Sequence, residues 1–387
     1  MEFDIVIIGG GLVGASLAAA LKDSGLKLAL LESGAPPPVS TAPDNWDSRI
    51  YAFTPGNAEF LRECGAWQRL DMSRVQQVEE MRVFGDTGAR LSFSAYQLGA
   101  PELAFILESR LLQDALWQVL HEQGNLTLLQ PARCAELTWH DEAALLKLQD
   151  GREISTKLII GADGRDSWVR HQAGMTETPT PYQQHGVVAN FACEKNHRGI
   201  AHQWFQEDGI LALLPLPGRR VSIVWSVSPE KSAELLALTH SDLCARVSAA
   251  ANYTLGELTL ITPPAAFPLR VLNLAHITQP RLALVGDAAH NVHPLAGQGV
   301  NLGLRDAREL SQTILQRGAL DCGDLRLLRR YERARQEDIL SMQLTTDALK
   351  HLFVNTNPFL RTLRNVGLAA TNAVTPLKKM LARHALN

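Results

Sequence analysis

Apolar residues run unbroken through FDIVII and again through LALL, and the alanine-rich stretch LVGASLAAALKDSG lies between them. Short apolar runs of this kind predict buried strands, and the alanine-rich stretch predicts a helix that closes at Gly25. Strand, helix and strand in immediate succession make a βαβ unit, so the chain is expected to open on a parallel sheet. SGAPPPVSTAPDNWD, rich in proline and small polar residues, predicts a surface loop leading into SRIYAFT. Beyond it NAEFLRECGAWQRL and ESRLLQDALWQVLHEQG carry apolar residues at helical spacing, while MRVFG, ARLSFSA, LTLLQPA and ALLKLQ predict strands. From about position 180 to 270 the pattern changes: VVANFACE, HQWFQ, ILALLPLP, RVSIVWSVS and LTLITPPAAFPL predict an antiparallel sheet, interrupted by one helix over KSAELLALTHSDLCARVSAA. LALVGDAAH then returns to the strand-and-turn pattern of the N-terminus. The expected fold class is therefore α/β. A discontinuous nucleotide domain with a Rossmann-like parallel sheet spans residues 1–72, 100–178 and 275–350. An interleaved substrate domain on a mainly antiparallel sheet spans 73–99 and 179–274, and residues 351–387 form a helical tail.

Composition narrows the classes without choosing among enzymes. The 387 residues are 46% apolar and 20% charged, which suits a folded globular chain rather than a disordered one. A formal net charge of −3 gives no overall positive field to draw the chain onto nucleic acid. Five cysteines, scattered with no CxxC pair, read as buried thiols in a reducing compartment. The apolar N-terminal run lacks a basic leader and is short for a membrane span, so a cytoplasmic protein is expected.

Three stretches carry the chemistry. In GGGLVGA, Gly9, Gly11 and Gly14 make a GxGxxG pattern between a predicted strand and helix. There the missing side chains allow a tight turn, close approach of backbone to a pyrophosphate and close helix packing. Glu32 ends the second strand, where an acid accepts hydrogen bonds from ribose hydroxyls. GADGRDSWVR follows the apolar run KLII; there Asp163 either serves a ligand at the sheet edge or caps the next helix, with Arg165 and Arg170 in solvent. GDAAHNVHPLAGQGVNLGLRDA is the third strand-to-turn junction. His290 and His293 have no third ligand at a metal-binding spacing, so no metal site is expected. Instead Gly297, Gln298 and Gly299 present backbone amides at the start of a helix, where partial positive charge favours an anion, and Asp287 is placed to bond a sugar-alcohol hydroxyl.

Taken together, these three motifs resemble the FAD-dependent aromatic hydroxylases, the group A flavoprotein monooxygenases, in the expected order over nearly the whole chain. The chain is most similar to the ubiquinone-biosynthesis hydroxylases, through SRIYAFT, ESRLLQDALWQ, LPLPGRRVSIVW, the long GDAAH motif and FLRTLRNVGLAA. The resemblance implies an FAD-binding Rossmann-like domain with an interleaved antiparallel substrate domain. It places Gly9, Gly11, Leu12, Val13 and Gly14 at the pyrophosphate, Glu32 at the adenosine ribose, and Gly286 and Asp287 at the ribityl or pyrophosphate region. It links Asp163 and Gly164 to FAD and the nicotinamide donor, puts Arg49 beside the flavin, and lets Arg110 reach the FAD. Pro294 and the backbone of Gly297, Gln298, Gly299, Val300 and Asn301 would line the flavin ring, Arg49 and Pro294 acting there as positioning groups. NADPH or NADH would dock transiently as reductant, since no second GxGxxG follows a strand, and one atom of O2 would pass to an electron-rich ring. No side-chain nucleophile or base is assigned; for His290, His293 and Tyr182 a surface or packing role is expected.

The substrate implied is a lipid-like polyprenylated aromatic, lying against Leu213, Leu214, Pro215 and Trp225. From Lys350 onward Lys350, Arg361, Arg364, Lys378, Lys379 and Arg383 alternate with apolar residues and no acid intervenes. That pattern suggests peripheral contact with the inner face of an anionic membrane, or with partners in a ubiquinone-biosynthesis complex. Two other readings stay open: a flavin hydroxylase or dehydrogenase for a small soluble phenol, and a non-catalytic FAD-binding member of a complex.

Overall fold

The first apolar run forms strand Glu2–Ile8 at the centre of a parallel sheet in the computed structural model, which describes residues 1–34, 45–85, 90–175, 177, 180–291 and 298–354. Ile5 pairs with Leu28 of strand Leu28–Leu31 on one side and with Leu158 of strand Glu153–Gly161 on the other. Strands Leu126–Leu129 and Leu282–Leu284 extend the parallel order outward, and the antiparallel pair Cys134–Trp139 and Ala144–Leu148 hangs from Glu153–Gly161. Ile5, Val6 and Ile7 are all fully buried, which is why this run does not alternate: both faces of the parallel sheet are covered. Helices Leu12–Ala20, Ser109–His121 and Gln298–Leu315 form one cover, the first packed against both of the others.

The region from 180 to 273 forms the expected second sheet, in the order His290–Asn291, Ala265–Asn273, Thr180–Cys193, Arg220–Val227, Gly209–Leu216, Ile200–Gln206, Glu80–Phe84 and Arg90–Ser94. It is antiparallel except where Glu80–Phe84 runs parallel to Ile200–Gln206. A small sheet of Ile50–Phe53, Ala104–Glu108 and Gln76–Val78 lies beside the other two.

Three details depart from the sequence reading. The single helix expected over 231–250 is two, Pro229–Ala237 and His240–Ala250, because Leu238 and Thr239 are extended and the Thr239 hydroxyl accepts from the Asp242 amide at 3.2 Å to start the second. His290–Asn291 joins the substrate sheet through Leu272↔Asn291, although its motif begins in the nucleotide sheet. Helix Leu325–Val354, which the sequence reading left unassigned, packs on Gln298–Leu315. No described helix is long and apolar enough to cross a membrane; the tail from 355 lies outside the described residues.

Candidate functional site

The first helix starts at the glycine turn because the turn cannot be built with side chains. A Cβ added to Gly9, whose φ is +108°, would lie 2.3 Å from the Ala162 carbonyl oxygen, and one added to Gly14 would lie 2.0 Å from the Gly9 carbonyl oxygen. Gly11 differs: a Cβ there meets nothing within 4 Å and would project only into open space. Two of the glycines thus close the strand against the helix, and the third keeps the approach to the helix N-terminus clear. That is the shape a pyrophosphate requires. Gly10 is as constrained, since its Cβ would lie 2.7 Å from the Trp117 ring, and its carbonyl accepts from Trp117 Nε1 at 3.0 Å and from Gln113 Nε2. The Glu32 carboxylate accepts from the Gly10 amide at 2.8 Å and from the Ser33 amide at 2.8 Å, which fixes it at the mouth of the turn.

The Asp287 turn meets this turn directly. Gly286 (φ +60°) and Gly303 both abut Val13, so that a Cβ on Gly303 would come within 2.7 Å of a Val13 methyl. Strand 282–284, the first helix and helix 298–315 therefore converge on one point. Below it lies a buried ionic network. Asp306, fully buried, accepts from the Gly286 amide at 2.9 Å and from Arg335 Nε at 2.7 Å, and its carboxylate lies 2.6 Å from His290 Nε2. His290 and Arg335 hold the Asp306 carboxyl below the usual range against its burial, and Arg335 is itself raised by Asp306 and Asp338 despite desolvation. His290 is thus committed to packing beneath the turn.

Above the network lies a cavity of about 810 Å³. Its polar end is lined by Gly11, Leu12, Val13, Arg49, Gly164 and Asp287, and Gly299 and Val300 contribute from the start of the last motif's helix. Asp287 lines the cavity and is solvent-accessible; desolvation raises its carboxyl above the usual range, opposed by His290 and Arg165. Arg49 stands at the rim because the Asp47 carboxylate accepts from both the Arg49 amide at 3.0 Å and the Arg110 amide at 3.1 Å. Asn301 is fully buried and ties the helix start to strand Ile50–Phe53, donating to the Ala52 carbonyl at 2.7 Å and accepting from the Thr54 amide at 3.0 Å.

Some expected site residues fall elsewhere. Arg110 does not line the cavity; its guanidinium is 3.5 Å from Asp47. Asp163 accepts from the Ser167 hydroxyl at 2.6 Å and the Val169 amide at 3.0 Å, so it braces the start of helix Trp168–Gln172. Arg170, which the capping alternative placed in solvent, is buried and donates to the carbonyls of Ala288 at 3.0 Å and Arg165 at 2.9 Å, joining the second motif to the third. Arg165 is exposed, as expected, and reaches the cavity rim.

Of the four substrate residues only Leu214 lines the cavity. Leu213 and Trp225 are 1% exposed and face the opposite side of the sheet, in the core with Leu235 and Leu243, and Pro215 is buried away from the cavity. Successive strand residues point to opposite faces, so adjacent Leu213 and Leu214 cannot share one. The apolar end is formed instead by Met81, Ala212, Leu214, Val224 and Phe267. Tyr182 is not among the lining residues. His293, Pro294 and Gly297 lie outside the described residues, as does the side chain of Gln298. Sequence reasoning missed Gly10, Asp306 and Arg335; the signal for Asp306 was present, since it is the last acid of the quoted motif, next to its final residue Ala307.

Burial pushes the thiols of Cys64, Cys134, Cys193 and Cys322 up to about 12, so they are protonated near neutrality and none serves as a nucleophile. What the cavity offers is a dinucleotide cradle that opens onto an apolar wall.

Known proteins are similar to this chain in sequence and fold. A family model described as FAD binding domain matches residues 2–343. The 3-demethoxyubiquinol 3-hydroxylase of Escherichia coli is 35% identical over 99% of this chain and 98% of its own length. The human mitochondrial ubiquinone biosynthesis monooxygenase COQ6 is 32% identical over 99% of this chain and 92% of its own. Among solved structures, Pseudomonas aeruginosa PqsL superposes with a TM-score of 0.80 at 24% identity, covering 96% of this chain and 100% of that one, which shows the shared fold. The p-nitrophenol 4-monooxygenase PnpA of Pseudomonas putida does so at 0.79 and 17% identity, covering 100% and 98%. The chain therefore belongs to the FAD-dependent aromatic-ring monooxygenases, within the FAD-binding family that includes the ubiquinone-biosynthesis hydroxylases.

Proposed function

We propose that this protein hydroxylates a ring carbon of a polyprenylated ubiquinone precursor, using FAD, O2 and NADPH or NADH. The observation that carries the reading is one cavity whose polar end is the glycine cradle with Asp287 and whose other end is the apolar face of the substrate sheet. The full-length similarity to hydroxylases named for ubiquinone intermediates supports the choice of substrate. The open approach at Gly11 fits a pyrophosphate on the amides of Gly11, Leu12 and Val13. We assign Glu32 to the adenosine ribose, Asp287 to the ribityl chain, and the backbone of Gly299 and Val300 to the ring edge, with Pro294 and Gly297 completing that edge. When bound, the flavin supplies the redox chemistry and activates oxygen. The chain's own part is to hold Arg49 at the rim, keep water from the apolar end and present the ring. We assign Asp163 and Gly164 to the rim where the nicotinamide donor docks, with Asp163 shaping the turn. The strands of the two sheets support a substrate domain of residues 73–99 and 179–274 between segments 1–72, 100–178 and 275–350 of the FAD domain.

Incubation with 18O2 and precursors from strains each lacking one ring hydroxylation should place a single heavy oxygen in one product. Oxidation of NAD(P)H with no label in any precursor would favour dehydrogenation or a non-catalytic role. We also propose that the basic residues of 351–387 bring the protein to anionic membranes or to pathway partners. Liposome flotation should then recover the full chain but not a version ending before Lys350; equal recovery rejects the membrane contact.

A further inference from the structure

On the cavity face of the substrate sheet, a few polar side chains interrupt an apolar wall. Ala201, Gln203, Ala212, Leu214, Ser222 and Val224 all line the cavity from three neighbouring strands. Ser222 is 1% exposed, and its hydroxyl has no hydrogen-bond partner among the described residues. Directly across the next strand pair stands Asn190, fully buried, which gives its Nδ2 to the Asp47 carbonyl at 2.7 Å and leaves its Oδ1 without a partner. Gln203 is 5% exposed and lines the same cavity from the neighbouring strand pair. A buried polar group without a partner costs about 1–3 kcal/mol, so a sheet that retains two such atoms, on Ser222 and on Asn190 beside it, is shaped for something that completes them.

We propose that Ser222, backed by Asn190, and Gln203 are the anchors for the oxygen substituents of the substrate ring, and that they set which ring carbon faces the flavin. This rests on the hydroxylase reading above and deepens it. The two positions are separated by one intervening strand and offset by two residues, because Gln203 pairs with Ala212 and Ser222 pairs with Leu214. Strand spacings of about 4.8 Å and rises of about 3.4 Å put them roughly 12 Å apart. That span fits an aromatic ring with oxygens on opposite carbons and a hydrogen bond of about 2.8 Å at each end. The Ser222 hydroxyl can donate to or accept from a phenol or methoxy oxygen, the Gln203 amide can do both, and Asn190 adds acceptor character behind Ser222. The apolar residues between them meet the ring face, and a prenyl tail has Met81 and Phe93 to lie against.

The test compares the holoenzyme with its Ser222→Ala and Gln203→Leu variants, using 3-demethoxyubiquinol with a short prenyl tail and its ring-demethylated analogues as probes. Ser222→Ala should melt at the same temperature or higher without probe, because an unpaired buried hydroxyl has gone. It should also raise KM by about fivefold to tenfold with flavin reduction by free NADPH unchanged. Gln203→Leu should raise KM similarly, release more hydrogen peroxide per NADPH oxidised and spread the oxygen over more than one ring position. Turnover by the unaltered enzyme with KM, coupling and product position all unchanged in both variants would overturn this inference alone. Failure of the unaltered enzyme to hydroxylate any probe would overturn the hydroxylase reading and this inference with it.

Discussion

Gly11 and Gly14 stand three residues apart in one motif, and the structure gives them opposite sensitivities. A methyl on Gly14 would lie 2.0 Å from the Gly9 carbonyl oxygen and 3.0 Å from Ala162 Cβ, both on rigid backbone at the centre of the parallel sheet. Relief to an ordinary contact requires the helix to move by more than 1 Å, and overpacking of that kind costs about 1–3 kcal/mol. A methyl on Gly11 meets no protein atom within 4 Å, so Gly11→Ala should lower apoprotein stability by only about 0.5 kcal/mol, from the poorer N-cap. The methyl does occupy the approach to the helix amides. Losing one charge-assisted hydrogen bond to the pyrophosphate, worth about 1.5–3 kcal/mol, weakens FAD binding by about tenfold to a hundredfold. Urea unfolding of both apoproteins, with titration of FAD by quenching of its fluorescence, separates the two effects. Expected are a near-normal unfolding midpoint with weak flavin binding for Gly11→Ala, and a lowered midpoint for Gly14→Ala. Unaltered FAD affinity in Gly11→Ala would refute the argument that the open face at Gly11 is the pyrophosphate cradle.

Asp306→Asn removes the charge shared by His290, Arg335 and the Gly286 amide, and breaking a buried pair of this kind should cost about 3–5 kcal/mol, read as a fall in the urea midpoint together with weaker FAD binding. Because the folded pKa of Asp306 is lowered, its contribution is complete above the ordinary carboxylate value of about 3.9 and is lost as pH falls through the still lower folded value, so the unaltered protein should lose stability there and the variant should show a shallower acid slope. Asp287 has the opposite sign: its folded pKa is raised, so apoprotein stability falls as pH rises from about 3.9 through the folded value, and Asp287→Asn should melt higher than the unaltered apoprotein at neutral pH while binding FAD less tightly. An apoprotein melting curve for Asp287→Asn identical to the unaltered one at every pH would contradict that. Leu213→Ala should cost about 2–5 kcal/mol of stability, whereas Leu214→Ala should act mainly on KM for the precursor; equal effects of the two would mean that the sheet faces are misassigned.

The fold class and the polar end of the cavity were legible in the sequence because both rest on local rules. A strand running into glycine and then into a helix is determined by backbone sterics over a few residues: Gly9 and Gly14 close that turn, and Gly11 and Asp287 line the cavity. The two sheets also followed from residue pattern, since the buried parallel strands read as unbroken apolar runs and the antiparallel ones carry turn residues at short intervals. Other features were decided by the tertiary structure alone. Leu213 and Leu214 are chemically identical, and only the register with Ser222 and Ile223 tells which of them meets the cavity. Arg170 is left in solvent by the capping alternative until the third motif brings the Ala288 carbonyl to it, and the partners of Asp306 are set only when Arg335, from a helix the sequence reading left unassigned, comes up beneath. Local sequence determines which conformations a segment can adopt. Which side chain is buried against which partner depends on contacts between residues far apart in the chain, and those exist only once the sheets and helices have packed.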